Sequence, residues 1–441
     1  MPKVGLIAMS GLRVCDTSLL ERGLSFPSLA SRATQIEALP SLGLLTLAAL
    51  TPPECEVEYH EVRDIENLAN KFDIVAISTL TATAKESYAL AKKFRETGTT
   101  VILGGLHATL CPDEAQAHVD VLAIGEGETI WPQIMQDFLN NKLKRRYDAR
   151  QLAAYDFVHS PIPKFDLLEP DRYPRFTVQS QRGCPLSCEF CAASMRLSPK
   201  FRVKPVANVI REIQYLKSLY NKPFIEFADD NTFVNRRHGK ELMRALAPEQ
   251  VRWFTETDIS VAQDEDLLKM MRDAGCAQIL IGFESPSRST LSGVELNSDW
   301  KARRTEKYLE SIETIQKHGI TVNGCFIMGM DGDGPESFDN VYNFVKQSGL
   351  YDVQLTYLTP FPGTPLYHRL SEEGRILVDE ASERCTLFDI NFQPTDMSLS
   401  ELRDGYQKLI SRIYDPAFVA QRYKNFRNHL RTQIRERMAN K

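Results

Sequence analysis

Over the first 140 residues, short apolar runs alternate with amphipathic stretches. Lys3–Met9, Cys55–Val62, Phe72–Leu80, Thr100–Gly105 and Val119–Gly125 have the length and β-branched content of strands. Leu42–Leu50, Thr83–Glu96 and Thr129–Asn140 between them have helical patterning. Runs such as VILGG and DIVAIS are apolar at successive positions, the signature of a parallel strand covered by helices on both faces. The order predicts an α/β fold beginning with a doubly wound, Rossmann-like domain over 1–145. In such a domain the ligand crevice lies at the carboxyl ends of the strands.

The pattern breaks over 146–175, where HSPIPKFDLLEPDRYPRF carries several prolines and no helical period, and this stretch reads as a linker. A second alternation follows over 176–370. Its strands are 177–183 (TVQSQRG), 224–230, 251–258, 278–285, 321–329 and 353–361, separated by helices near 205–219, 236–247, 264–273, 301–318 and 336–348. Six strand–helix repeats predict a partial (β/α)6 barrel, open on one side, with its chemistry at the carboxyl ends. Residues 371–441 read as a helical region ending in the basic sequence YKNFRNHLRTQIRERMANK, either a solvated helix or a peripheral membrane contact.

Composition narrows the class. With 53 basic and 58 acidic residues the formal charge of −5 carries no overall nucleic-acid footprint, so no nucleic-acid partner is expected. No apolar run reaches the roughly 18 residues of a membrane span. The N-terminus runs directly into a strand without a signal-peptide cleavage site, and a cytoplasmic location is expected. Nine cysteines, odd in number and sparse outside one cluster, argue against a secreted disulfide framework.

Three of them, Cys184, Cys188 and Cys191, form CPLSCEFC directly after the first barrel strand. Thiolates at this spacing suit iron–sulfur chemistry or zinc. A structural zinc site closes a tetrahedron with four ligands, and no fourth Cys or His follows nearby. Three cysteines on a four-iron cluster leave one iron for substrate. Zinc with a distant fourth ligand, or incidental burial of the cysteines, stands as the bland alternative.

CxxxCxxC at this place resembles the radical S-adenosylmethionine (SAM) superfamily. The resemblance implies a [4Fe-4S] cluster whose open iron is chelated by SAM, and reductive cleavage of SAM to a 5′-deoxyadenosyl radical. It implies an external one-electron reductant as partner. Phe190 stands where the family has an aromatic near the adenine. Asp229 and Asp230, with Asn231, stand where it binds the methionine ammonium. Gly282, Glu284 and Ser285 correspond to positions that bind ribose and methionine, and Gly329, after Ile327 and Met328, to a backbone contact with adenine. Glu256 and Asp258 are placed at the barrel mouth. Each acidic or polar residue alone could equally cap a helix.

GGLHATLCPDEA (104–115) and IGEGET (124–129) follow apolar strands, and with SLGLLTLAALTP (41–52) and STLTAT (78–83) resemble the cobalamin-binding domain of cobalamin-dependent radical SAM enzymes. The resemblance extends over nearly the whole chain and points to the branch of hopanoid methylases and anaerobic cyclases. It implies cobalamin contacts from Ser78, Thr79, Gly104, Gly105, His107, Thr109, Gly125, Glu126, Gly127 and Glu128. The first loop, SGLRVCDTSLL, has no histidine in the D-x-H-x-x-G pattern of ordinary cobalamin carriers, so it supplies no imidazole to cobalt. The implied function is methyl transfer to an unactivated carbon of a small-molecule or lipid-like substrate, via methylcobalamin and the 5′-deoxyadenosyl radical. Non-methylating radical chemistry, a vestigial cobalamin domain, or a non-enzymatic sensor are the alternatives.

Overall fold

The computed structural model describes residues 1–11, 13–17, 19, 39–62, 71–192, 200–377 and 382–439. Part of the first loop (residues 12, 18 and 20), part of the C-terminal region (378–381) and the last two residues therefore lie outside the described residues.

The first sheet comprises β1 (Lys3–Ala8), β2 (Glu56–Glu61), β3 (Ile74–Ser78), β4 (Thr100–Gly104), β5 (Val121–Ile124) and β6 (Arg146–Asp148). All pair in parallel in the order β2-β1-β3-β4-β5-β6. Since β1 lies between β2 and β3, the winding reverses there, and this topology places a ligand crevice at the carboxyl edge of the sheet. The central strands are buried along nearly their whole length, as their unbroken apolar runs require. Edge strand β2, EVEYHE, is charged and half-buried. The sixth strand corrects the reading of 146–175 as linker from its first residue. It has only three residues, RYD, too few to show a period, and is held by Tyr147, whose hydroxyl donates to Asp137 at 2.7 Å.

Helices α1 (Leu42–Leu50), α2 (Ala84–Glu96), α3 (Leu106–Leu110), α4 (Pro112–Gln116) and α5 (Gly127–Leu139) cover the sheet. Helix α1, LGLLTLAAL, is apolar all round because it has two neighbours: Leu44 and Ala48 join the sheet's core, whereas Leu45 joins that of the second unit.

The second unit contains β7 (Phe176–Val178), β8 (Gln181–Arg182), β9 (Arg202–Val203), β10 (Phe224–Phe227), β11 (Arg252–Thr257), β12 (Cys276–Glu284), β13 (Thr321–Met328) and β14 (Asp352–Tyr357). Six of these form a parallel sheet, β14-β13-β12-β11-β10-β7, a partial barrel as expected, while β8 and β9 make a short antiparallel ribbon. The segment 177–183, expected as one strand, is therefore broken after Val178. Helices α6 (Val206–Leu219), α7 (Arg236–Leu246), α8 (Glu265–Asp273), α9 (Arg288–Leu291), α10 (Tyr308–Lys317), α11 (Ser337–Ser348) and α12 (Pro365–Glu372) connect the strands or follow β14. Helices α13 (Leu399–Ile413) and α14 (Pro416–Ala439) finish the chain. Tyr406 of α13 and Tyr414, in the turn after it, donate to the carbonyls of Leu355 and Val353 at 2.9 Å each, which covers the exposed edge of β14. No helix among the described residues is long and apolar enough to cross a membrane.

Candidate active site

The break after β7 exists because a carboxylate competes with the ladder. Asp229, at the end of β10, accepts from Ser180 N at 2.8 Å, Ser180 Oγ at 2.5 Å, Gln181 N at 3.1 Å and Thr232 Oγ1 at 3.1 Å. Burial pushes its carboxyl up to about 6 despite these donors. The neighbouring Asp230 accepts from Gly183 N at 2.8 Å. Asn231 accepts at its carbonyl from Gln181 Nε2 and places its own Nδ2 4.0 Å from Cys184 Sγ and 2.8 Å from Asp258 Oδ2. Asp229-Asp230-Asn231 thus sets the backbone from which the cysteine loop departs, with Asp229 spending its acceptors on that loop. Gly183, at φ +85°, makes the turn into Cys184.

Cys188 is buried, and Cys184 and Cys191 are half-buried. Burial pushes the Cys184 thiol up and that of Cys188 to about 12, the latter against the pull of the Lys301 ammonium. Burial thus disfavours the thiolates of Cys184 and Cys188, which call for the positive charge of bound metal. Among the described residues, the one set of three His, Cys, Asp or Glu donors within 4.8 Å of each other is His107, Cys111 and Glu114, not the three cysteines. Thiolates on a single tetrahedral zinc sit roughly 3.8 Å apart. The sulfurs of Cys184, Cys188 and Cys191 are not all gathered within 4.8 Å of one another.

Two further fasteners hold the loop. The segment 294–301 runs alongside it: Glu189 N donates to Val294 O at 2.9 Å, Leu296 N to Ser187 O at 3.1 Å, and Cys188 bridges Glu295. The Glu295 carboxylate accepts from Ser187 N at 3.2 Å, Ser298 N at 2.8 Å and Ser298 Oγ at 2.6 Å. Against the upward push of burial, these and further donors hold its carboxyl at about 2. On the other side, Arg369 of α12 grips Glu189 at 2.8 and 3.2 Å.

At the end of β12, a bulge follows Gly282 and Glu284 takes the left-handed φ of +61°. Its carboxylate lies 2.5 Å from Lys301 Nζ, which also donates to Gly282 O at 2.8 Å. A side chain at Gly282 would strike the Glu284 carboxylate. Ser285 is buried, and its Oγ accepts from Ser287 N at 3.1 Å. Phe190 packs against the main core. Glu256 is exposed, and its carbonyl accepts from Thr232 N at 3.1 Å. Gly329, at φ +92°, donates to Asp333 at 3.1 Å; a Cβ there would meet Phe392 at 3.0 Å, so that face of Gly329 is turned to the C-terminal region.

Across from the cysteine loop, the edge of the first sheet opens into a cavity of about 400 Å³. Leu44 and Leu47 of α1 form one wall, Ile130, Trp131 and Ile134 of α5 the other, and Ala76, Ile102 and Ala123 the floor. Ser78, Thr79, Gly104, Gly105 and the turn Gly125–Glu128 border its mouth, which is completed from the second unit by Gln179, Arg182, Ala228 and Asp230. Gly105, at φ +97°, brings its turn so close to the preceding loop that a Cβ would lie 2.6 Å from Thr79 O. Thr109 donates to Gly105 O at 3.0 Å and accepts from Gly125 N at 3.0 Å, tying the two glycine turns together without lining the cavity.

His107 does not line the cavity either. It is fully buried, 2.8 Å from the Tyr88 hydroxyl, with burial pushing its ring below the usual imidazole range. The reason is local: the turn at Gly105 starts α3, which carries its second residue underneath the sheet edge. Among the described residues, no His, Cys or Met lines the cavity, so none of those residues offers cobalt a strong nitrogen or sulfur ligand. An apolar slot with Ala76 and Ala123 in its floor and glycine turns at its mouth fits a bulky flat group with a buried tail. Lys301, Glu295, Arg369 and the pairing of Arg182 with Glu126 and Glu128 escaped sequence reading. The only local hint was that Arg182 adjoins Gly183-Cys184.

Fold and site together define an enzyme with two strand-end crevices, one built for an iron–sulfur cluster and one for a large flat cofactor. Known proteins agree. Family models match residues 178–345 (Radical SAM superfamily), 38–134 (B12 binding domain) and 364–441 (a domain of unknown function). The chain is 30% identical over 355 residues to bacteriochlorophyllide d C-8(2)-methyltransferase of Chlorobaculum tepidum, covering 77% of each chain. It is 26% identical to hopanoid C-2 methylase of Rhodopseudomonas palustris, covering 87% of this chain and 73% of the relative. Its fold is similar to that of OxsB, a cobalamin-dependent SAM radical enzyme solved with aqua-cobalamin and SAM bound, at a TM-score of 0.68 and 14% identity over 98% of this chain and 72% of that one. The chain belongs to the cobalamin-dependent radical SAM family, whose cofactors are a [4Fe-4S] cluster, SAM and cobalamin.

Proposed function

We propose that this enzyme is a methyltransferase acting on an unactivated carbon of an apolar small molecule. The observation that carries the reading is that the two crevices open onto one another: one cavity is bordered by Ser78, Gly104 and Gly125 on one side and by Gln179, Arg182 and Asp230 on the other. When bound, the cluster with SAM supplies a hydrogen-abstracting radical, and cobalamin supplies the methyl group. Cys184, Cys188 and Cys191 hold the cluster. Asp229 and Asp230 fix the loop that carries Cys184, Glu295 and Arg369 fix the part that carries Cys188, and Glu284 and Ser285 face SAM from the end of β12. Leu44, Leu47, Ile130 and Trp131 exclude water from the tail of the cobalamin, and the glycine turns at 104–105 and 125–127 let its ring approach the backbone.

One cofactor crevice belongs to the first sheet, which runs on through Asp148, and the other to the partial barrel within 176–370. The relatives named for bacteriochlorophyllide and hopanoid support a polycyclic substrate, and for one dissolved in a membrane the basic sequence of 423–441 offers a peripheral contact with anionic headgroups. The cluster held by Cys184, Cys188 and Cys191 would call for an external one-electron donor.

The test is anaerobic reconstitution with iron, sulfide and hydroxocobalamin, followed by turnover with candidate substrates. Methylation yields S-adenosylhomocysteine together with 5′-deoxyadenosine. Formation of 5′-deoxyadenosine with product but without S-adenosylhomocysteine replaces this reading with non-methylating radical chemistry. Full turnover without bound corrin would make the first domain vestigial.

A further inference from the structure

The turn IGEGET carries two carboxylates to the mouth of the cavity, yet neither is free for a ligand. Glu126 Oε1 accepts from Arg182 Nη1 at 3.0 Å and from Arg202 Nη2; its Oε2 accepts from Arg202 Nη1 at 3.0 Å and Tyr155 N at 3.2 Å. Glu128 Oε1 accepts from Arg182 Nη2 at 2.7 Å, and Oε2 from Nη1 at 3.4 Å. All four carboxylate oxygens are engaged. Side-chain exposures of 9–20% across the network mean that water screens it little. Both arginines come from the ribbon β8–β9 of the second unit, where they face each other in register. Arg182 is two residues before Cys184 in sequence.

The connecting segment is drawn into the same knot. Phe157, buried, has three cations over its ring: Arg182 at 4.9 Å, Arg202 at 5.6 Å and Lys204 at 5.8 Å. Arg202 Nη1 also donates to Tyr155 O at 2.9 Å, and Asn208 Nδ2 to Phe157 O at 3.1 Å.

We infer that Glu126 and Glu128 act as an interdomain latch on Arg182 and Arg202, which fixes the first sheet's edge against the cysteine loop and so sets the register of the two cofactor crevices. These are positioning residues: their carboxylates grip arginines instead of the corrin. The inference rests on the two-cofactor reading of the site. The chemistry supplies the need, since a carbon radical must reach a methyl donor held by the other unit, and a proline-rich connector alone does not fix that separation.

Hydrogen exchange on the full-length protein tests it, comparing Arg182→Met, Arg182→Lys and Glu128→Gln with the parent. In Arg182→Met, peptides spanning 149–162 and 181–184 should exchange about tenfold or more faster, while those of α10 and α13 stay unchanged. Arg182→Lys, which keeps the charge and loses the bidentate fork, should fall between. Parent-like exchange at 149–162 in Arg182→Met, or loss of cobalamin in Glu128→Gln with unaltered exchange, overturns the latch. Should Arg182→Met loosen the whole protein, the Lys and Gln variants decide by the same peptides. Electron paramagnetic resonance on protein loaded with cobalamin and cluster adds a second readout: spin coupling between cob(II)alamin and the reduced cluster should be sharp in the parent and spread in Arg182→Met. A parent that retains no corrin after reconstitution would refute the two-cofactor reading, while the exchange experiment would still judge the contact between the units.

Discussion

Replacing Lys301 by methionine isolates the pair that shapes the end of β12. The ammonium lies 2.5 Å from Glu284 Oε1 and 2.8 Å from Gly282 O, with the two side chains 12% and 8% exposed. Removing one partner of a buried pair leaves the other charge uncompensated and costs about 3–5 kcal/mol. The small remaining exposure admits some water, so about 2–4 kcal/mol is expected for Lys301→Met. Glu284→Gln in the same background removes the stranded charge, and the double variant should be only about 1 kcal/mol below the parent, the worth of the lost bond to Gly282 O. Even if Glu284→Gln alone cost nothing, the double-mutant coupling is then at least about 1 kcal/mol. Urea unfolding of the metal-free protein, followed by the fluorescence of its three tryptophans, Trp131, Trp253 and Trp300, measures it. A Lys301→Met cost below about 0.5 kcal/mol, or strictly additive single costs, would refute the argument that this pair is shielded and coupled.

Cys188→Ala should abolish cluster assembly and 5′-deoxyadenosine formation; the iron content and product assay check it. Gly105→Ala places a side chain at φ +97° and 2.6 Å from Thr79 O, so it should cost about 1–3 kcal/mol from backbone strain alone and weaken cobalamin retention on gel filtration. Asp333, nearly fully buried, has its carboxyl pushed by burial from 3.8 to about 6. Its neutral form suits the fold, so the associated stability is complete below about pH 4 and falls by about 3 kcal/mol as pH rises through 6. Asp333→Asn should flatten that segment of the stability–pH profile in urea titrations, and an unchanged slope would contradict the shift.

The parts of this molecule that repeat a short-range pattern were legible before folding was considered. Parallel strands such as VILGG announce burial on both faces, and CPLSCEFC after a strand announces its chemistry, because period and spacing are local properties. What sequence reading missed lies in long-range competition. The break after Val178 depends on Asp229, 49 residues away from Ser180, taking the amides of the next turn. The strand Arg146–Asp148 is too short to have a period. Glu126, Glu128 and His107 belong to recognisable phrases, but a phrase does not tell which way a side chain leaves the backbone: the two carboxylates meet arginines from 54 to 76 positions away, and His107 turns inward to Tyr88. Lys301 meets Glu284 across 17 residues with no helical spacing to mark it.

The central claim is that three cysteines hold a cluster with one iron open to SAM. Electron paramagnetic resonance of the reduced, anaerobically reconstituted protein with and without SAM addresses it most directly. The account predicts the signal of a reduced [4Fe-4S] cluster whose g values shift when SAM is added. A signal that SAM leaves unchanged, or a protein whose three cysteines have taken up zinc and give no cluster signal, would contradict it.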